Sequence, residues 1–210
     1  MHEDSPIRIR FAAPDDAPYV LAVYAPYVTD TAITFECSVP SSQDYAVMIA
    51  NLSGVYPFLL AECEGRVVGF AYASRYRPRE AFAPCVSTSI YIVPGAQRRR
   101  LGRSLYYCLL RLLKAQGYGV AYAAITIPNP ASAALHASLG FTPVGVFPKA
   151  GYKLGRWHDM MWLQKELVER SGPPAQPGPV HGLCPEFVKA RFEEAEKRIR
   201  LSSESVDSLE

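Results

Sequence analysis

Apolar and polar residues alternate along Ile7-Arg8-Ile9-Arg10-Phe11, the period of a half-buried strand. Pro14-Asp15-Asp16 then supplies a helix-start signal, and Val20, Leu21, Val23 and Tyr24 give the next segment an apolar stripe. Ser41-Ser42-Gln43-Asp44 predicts a second helix start, running to about Leu52. The apolar runs Phe58 to Cys63 and Val67 to Ser74 read as strands joined by a tight turn at Glu64-Gly65-Arg66. Val86 to Val93 predicts a further strand, Leu101 to Gln116 an amphipathic helix closed by Gly117, and Val120 to Thr126 a strand running into Pro128-Asn129-Pro130. A short helix over Ala131 to Leu139 stops at Gly140, and two late strands are predicted near Pro143–Phe147 and Trp157–Lys165. This order implies an α/β fold on a mixed sheet.

The pattern changes after Ser171. Gly172 to Pro179 is rich in proline and glycine and reads as an extended linker. Pro185 to Leu201 reads as a charged helix whose few apolar positions are Phe187, Val188, Phe192 and Ile199. Such a helix docks on the domain, pairs with another subunit or frays, and the sequence leaves these open. The last nine residues are expected to be disordered. The chain therefore divides into a domain over 1–170 and a linker with helical tail over 171–210.

Composition adds exclusions. With 210 residues, 49% apolar and 20% charged, the chain can bury one ordinary globular core. A net charge of +2 argues against a general nucleic-acid or membrane-surface binder. The five cysteines are scattered, with no metal-ligand spacing, so no disulfide framework and no metal site is expected. No signal peptide and no membrane-spanning run are visible, so a cytoplasmic protein is expected.

Basic charge is concentrated at Arg98, Arg99, Arg100 and Arg103, between the strand Ser89-Ile90-Tyr91-Ile92-Val93 and the helix from Leu101. A strand that turns through a basic loop into a helix N-terminus suits a diphosphate, because first-turn N–H groups lack partners and the macrodipole adds positive charge. Gly102 lies in that first turn.

This segment, with Asn129-x-x-Ser132-x-x-x-His136-x-x-x-Gly140-Phe141, resembles the GNAT superfamily of acetyl-CoA-dependent N-acetyltransferases. Ala150-Gly151-Tyr152-Lys153-Leu154-Gly155-Arg156-Trp157-His158-Asp159 is similar to its phosphinothricin N-acetyltransferase branch, and the likeness runs from about Ile7 to Leu167. The resemblance implies a GNAT fold in which two neighbouring strands splay apart to admit the pantetheine arm of acetyl-CoA. It implies that the backbone of Ile90, Tyr91 and Ile92 bonds that arm. Arg98, Arg99, Arg100, Leu101, Gly102 and Arg103 would hold the pyrophosphate, with Asn129 and Ser138 as further cofactor contacts. It places Phe35, Arg77, Arg79, Phe82 and His158 about the acceptor, a small amino-acid-like amine, with Arg77-Pro78-Arg79 offering two cations to an anionic group. Trp157 either shapes the pocket floor or packs in the core. A homodimer is common in such proteins and is expected here, with no nucleic-acid or membrane partner.

His136 stands where the superfamily often carries a tyrosine, and is expected to protonate the departing thiolate as a general acid. The chain departs from the family pattern twice. Arg100 replaces a glycine of the turn, which serves close backbone approach or positive φ. Ser87 replaces the glutamate expected as general base, leaving a water ordered by Ser87, Glu36 or the His158/Asp159 pair as candidates. The implied function is acetyl transfer from acetyl-CoA to a phosphinothricin- or methionine sulfone/sulfoximine-type amine by direct attack. The alternative is a catalytically weakened acyl-CoA-binding or regulatory module on the same fold.

Overall fold

A computed structural model describes residues 6–94, 100–169 and 171–203, with only the backbone of 200–203. The strands are β1 (Ile7–Phe11), β2 (Phe58–Cys63), β3 (Arg66–Arg75), β4 (Cys85–Ile92), β5 (Val120–Ile127), β6 (Thr142–Lys153) and β7 (Arg156–Glu166). The helices are α1 (Ala17–Thr29), α2 (Ser42–Ser53), α3 (Leu101–Ala115), α4 (Pro130–Ser138) and α5 (Pro185–Ser203). The strands form one sheet in the order β1-β2-β3-β4-β5-β7-β6. Every neighbouring pair is antiparallel except β4 and β5, whose connection crosses over through α3 and makes them parallel.

Local chemistry explains most boundaries. The side chain of Ser41 accepts the Asp44 N–H and starts α2. Pro14–Asp16 forms a short 3-10 turn, so α1 begins at Ala17, slightly later than the sequence signal suggests. The Arg10 guanidinium bridges Asp16 and Glu62, both at 2.6 Å, and fastens that turn to β1 and β2.

Two apolar clusters flank the sheet. On one face α1 and α2 bury Val20, Tyr24 and Ile49 against Phe58, Leu60 and Phe70. On the other, α3 buries Leu105, Leu109 and Leu112 against Leu59, Ala71 and Val86. The tail helix also joins this second layer. Ala195 and Ile199 are buried, the Phe192 ring lies 5.1 Å from that of Phe11, and the Ile9 N–H donates to Glu196 Oε1 at 2.7 Å. Of the three fates left open for the tail, docking is the one the structure displays; 202–203 continue the helix, and the rest of the expected disordered end lies outside the described residues.

The first late strand departs most from expectation. It extends to Lys153 rather than ending near Phe147, because the ladder with β7 absorbs register shifts at Pro143/Gly145 and Phe147/Gly151. Lys149 takes a left-handed φ of 51° in the second irregularity, so the strand continues past a local break in its pattern.

Candidate active site

The parallel ladder between β4 and β5 is short. It covers Cys85↔Val120, Val86↔Ala121 and Ser87↔Tyr122, and then stops. Thr88 ends it, because its hydroxyl proton goes to the Tyr122 carbonyl at 2.9 Å, a position a strand amide would otherwise fill. A hydroxyl has one proton, so the Tyr106 phenol donates to Thr88 Oγ1 at 2.5 Å. Beyond this wedge β4 and β5 diverge, which is the splay expected from the sequence.

The open edge of β4 has a defined polarity. Val93 N–H bonds Val68 on the β3 side, so alternation turns the amide groups of Ile90 and Ile92 toward the gap and those of Tyr91 toward β3. Ile90 and Ile92 therefore offer backbone to a ligand in the gap, whereas Tyr91 does not. The Tyr91 ring packs with Tyr24 at 4.8 Å and Phe70 at 5.2 Å instead. One acceptor at the lip is partly used, since the Tyr27 phenol donates to the Ile92 carbonyl at 2.5 Å.

Two adjoining cavities that share Ile33, Ile90, Asn129 and Ser132 form a groove between the gap and α3. Thr88, Ser89, Ala124, Asn129 and His136 line its inner end, and Ile92, Arg100, Gly102, Arg103, Asn129 and Leu135 its outer end, about 260 Å³ in volume. At the outer end Ser104 N–H bonds Arg100 O, and among the described residues the amides of Leu101, Gly102 and Arg103 have no partner, an arrangement that suits an anion. The Leu101 side chain is buried in the core and contributes only its amide. A Cβ on Gly102 would sit 3.7 Å from Ile90, Ile92 and Leu135 atoms, inside the groove, so glycine keeps the backbone accessible there. Arg100 adopts φ 52°, the left-handed conformation that a glycine takes without strain, and remains exposed. Arg98 and Arg99 lie outside the described residues.

Asn129 caps α4, its side-chain oxygen accepting Ser132 N–H at 3.1 Å, which leaves its amide nitrogen to face the groove. Ser138, by contrast, lies off the groove. Two residues past His136 on a helix turn a side chain through about 200°. Its hydroxyl donates to Leu135 O at 2.8 Å, and it lines a separate cleft behind α4.

His136 is buried at the inner end, with edge contacts to Tyr106 and Phe141 at 5.3 and 5.1 Å. Burial pulls its pKa below the usual imidazole value, only partly offset by the Ser132 carbonyl. Nδ1 lies 2.8 Å from that carbonyl, which can only accept, so the proton of the neutral ring sits on Nδ1 and Nε2 carries a lone pair. A general-acid role would require the doubly protonated ring, which this burial disfavours, since the Nδ1-protonated tautomer has no Nε2 proton to give.

The acceptor side lies on the opposite face. Ser87 and Ser89 point away from α3, since their neighbours Val86 and Thr88 point toward it. Tyr24, Tyr72 and Tyr91 stand on this face, and burial raises all three phenols above their ordinary pKa, so none supplies a phenolate near neutrality. Phe35 packs on Gly151, where a Cβ would meet its ring at 2.5–2.8 Å. His158 lies beneath Phe35, buried, with Nε2 donating to Lys153 O at 3.0 Å. Asp159 Oδ1 accepts Lys149 N–H at 2.8 Å. The His158/Asp159 pair thus braces the β6–β7 hairpin, and neither residue lines the groove. Trp157 is 57% exposed and touches Tyr152, so it forms neither a pocket floor nor a core contact.

Arg77 is exposed, its guanidinium 5.3 Å over the Tyr76 ring, which stacks on Tyr122 at 4.3 Å beside Ser87. Arg79 is exposed on the same loop. Phe82 turns the other way, 5.6 Å from Tyr76 and into a cleft with Tyr56, Cys85 and Tyr118 at the far end of β4. Thr88 and Tyr106 shape the gap and were not singled out in the sequence, whereas Ser132, whose carbonyl faces His136, stands in the motif that carries the resemblance.

A gap between parallel strands, a neutral histidine beside it and an anion-ready helix N-terminus together match one known architecture. The sequence profile of the acetyltransferase (GNAT) domain matches residues 9–162. The chain belongs to the GNAT acetyltransferase family. The phosphinothricin N-acetyltransferase of Streptomyces viridochromogenes is 35% identical over 178 residues, covering 85% of this chain and 97% of that protein. An L-methionine sulfoximine/L-methionine sulfone acetyltransferase of Pseudomonas paraeruginosa is 38% identical over 168 residues, 79% of this chain and 98% of the relative. Among solved structures, a GNAT superfamily phosphinothricin acetyltransferase from Sinorhizobium meliloti in complex with acetyl-CoA superimposes with a TM-score of 0.74 at 32% identity, covering 86% and 97% of the two chains. The yncA protein of Salmonella typhimurium, solved with its cofactor acetyl-CoA, gives 0.76 at 34% identity over 81% and 99%. This GNAT enzyme is therefore an N-acetyltransferase with acetyl-CoA as its co-substrate. Among the described residues, no helix is long and apolar enough to cross a membrane.

Proposed function

We propose that the enzyme acetylates the amine of a small amino-acid-like acceptor of the phosphinothricin or methionine sulfone/sulfoximine type. The observation that carries the acceptor class is the 35% and 38% identity to relatives named for phosphinothricin and for methionine sulfoximine and sulfone. The groove from the start of α3 to the gap at Thr88, next to the face bearing Ser87, Ser89 and Tyr72, supports the use of acetyl-CoA. Bound acetyl-CoA supplies an activated thioester. The Leu101, Gly102 and Arg103 amides hold its diphosphate, Ile90 and Ile92 pair with its amide groups as a surrogate strand, and Asn129 adds a side-chain contact.

The acceptor amine takes the acetyl group directly: a C–N bond forms, the C–S bond breaks, and the amine gives up a proton. Cys63 and Cys108 are buried, and burial raises the Cys108 thiol, pushed up to about 12, which suits packing rather than nucleophilic attack. Of the carboxylates weighed as bases, Asp159 braces the hairpin, whereas Glu36 is exposed next to Phe35 on the acceptor side. Glu36, or a water ordered by Ser87, takes the amine proton in this reading. A free α-amine with a pKa of about 7.7–8.0 needs only a weak base. His136 keeps its Nδ1 proton on Ser132 O and shapes the inner end as a neutral ring.

Coenzyme A release is the direct test. Incubation with acetyl-CoA and phosphinothricin, methionine sulfone or methionine sulfoximine is expected to release it with at least one acceptor. No turnover with all three, alongside measured acetyl-CoA binding, overturns the acceptor assignment.

A further inference from the structure

The profile match ends at residue 162, and α5 lies beyond it. Behind the groove, α5 helps to enclose a cleft of about 350 Å³ together with α3, the end of α4 and the end of β7. Arg103 stands in the wall of both cavities, so the cleft begins where the diphosphate end of the groove stops.

The charge in this cleft is one-sided. Arg103, Arg111 and Lys114 project from one stripe of α3, Lys165 comes from β7 and Arg198 from α5. Against these five cations the lining holds one carboxylate, Glu166. Arg198 places its guanidinium 4.0 Å over the Tyr107 ring, and Arg111 lies 6.0 Å from the same ring. Arg198 pairs with Glu194 at 2.9 Å, which orients it along α5. Gathering like charges around a concave surface raises the local positive potential and favours a compact multivalent anion. A phosphate monoester carries nearly two charges at neutral pH and presents oxygens that match the guanidinium fork.

We propose that this cleft is a phosphate-monoester site, that the 3′-phosphate of acetyl-CoA occupies it, and that the appended helix completes it through Arg198. The proposal rests on the groove reading above, since only a diphosphate at the start of α3 brings the adenosine end of the molecule past Arg103. It gives α5 a role in binding that the domain over 9–162 does not contain.

Calorimetric titration of the full chain with acetyl-CoA and with 3′-dephospho-acetyl-CoA tests it. The wild type is expected to prefer acetyl-CoA by roughly tenfold or more, the scale of a charge-assisted contact. Arg198→Ala and, separately, Lys165→Gln are each expected to shrink that preference about threefold or more, with affinity for the dephospho compound unchanged. Arg198→Lys, which keeps the charge and the stem at a 46% exposed side chain, is expected to retain part of it. A preference near one in the wild type overturns the proposal, as does a preference that neither variant changes. Inorganic phosphate that binds without competing with acetyl-CoA also overturns it, by assigning the cleft to a separate ligand. If neither nucleotide binds, the groove reading itself fails, an outcome distinct from the others.

Discussion

Thr88 uses its one hydroxyl proton on a backbone carbonyl, and that choice opens the sheet. Thr88→Val keeps the shape but strands the buried Tyr106 phenol and the Tyr122 carbonyl. A loss of about 1–3 kcal/mol in denaturant unfolding is expected. His136 makes a pH-dependent contribution of predictable sign. Its folded pKa is depressed, so below about 6.5 the unfolded chain binds the extra proton first, and stability falls as pH drops from that value toward the folded pKa. His136→Gln is expected to show a shallower decline in melting temperature between neutral pH and pH 5 than the wild type. At Ser87 the missing carboxylate can be restored. Ser87→Glu is expected to raise kcat with little change in the KM for acetyl-CoA, because the side chain faces the acceptor side; an unchanged kcat would assign proton removal to Glu36. Some residue roles were legible in the sequence and others were not. Asn129 and Gly102 line the groove where the family resemblance puts the cofactor. The place of His158 was not legible, because its burial under Phe35 is set by packing that no local pattern encodes.

At the level of elements, β2 and the body of α3 were readable because periodicity, turn residues and burial all agree there. β6 was not, since its proline and glycines signal turns while the ladder with β7 carries the strand past them. The α3 N-terminus matters most for binding. Gly102→Val fills the space between α3, β4 and α4, and is expected to weaken acetyl-CoA binding by about tenfold or more in titration, one lost contact of about 1.4 kcal/mol sufficing for that factor. A Cβ at Gly102 lies at ordinary contact distance from three apolar side chains, so Gly102→Ala, measured alongside, should hold its melting temperature and separate loss of affinity from loss of fold.

For the molecule as a whole, the tail is part of the folded body. Its composition announced a linker and a helix, but an amphipathic pattern of so few apolar residues does not say which surface receives it. Ending the chain at residue 170 exposes the α3 and β1 surfaces that Phe192, Ala195 and Ile199 cover. Such a loss of about 3 kcal/mol or more corresponds to roughly 10 °C in melting temperature for a chain of this size, readable by calorimetry.

The bond from Ile9 N–H to Glu196 bears on a different hazard. β1 is the outermost strand on its side of the sheet, and an outermost strand presents unpaired amides to any other extended chain. The glutamate takes one of those amides, and its negative charge stands across the approach of an incoming strand. At the opposite border, β6 is broken by two register shifts and a left-handed lysine, so it too offers a poor template. Both borders of the sheet thereby offer a less regular template for strand addition. The tail that extends the ligand surface also shields the fold from templated aggregation, so its removal should shorten the shelf life of concentrated protein before it abolishes catalysis.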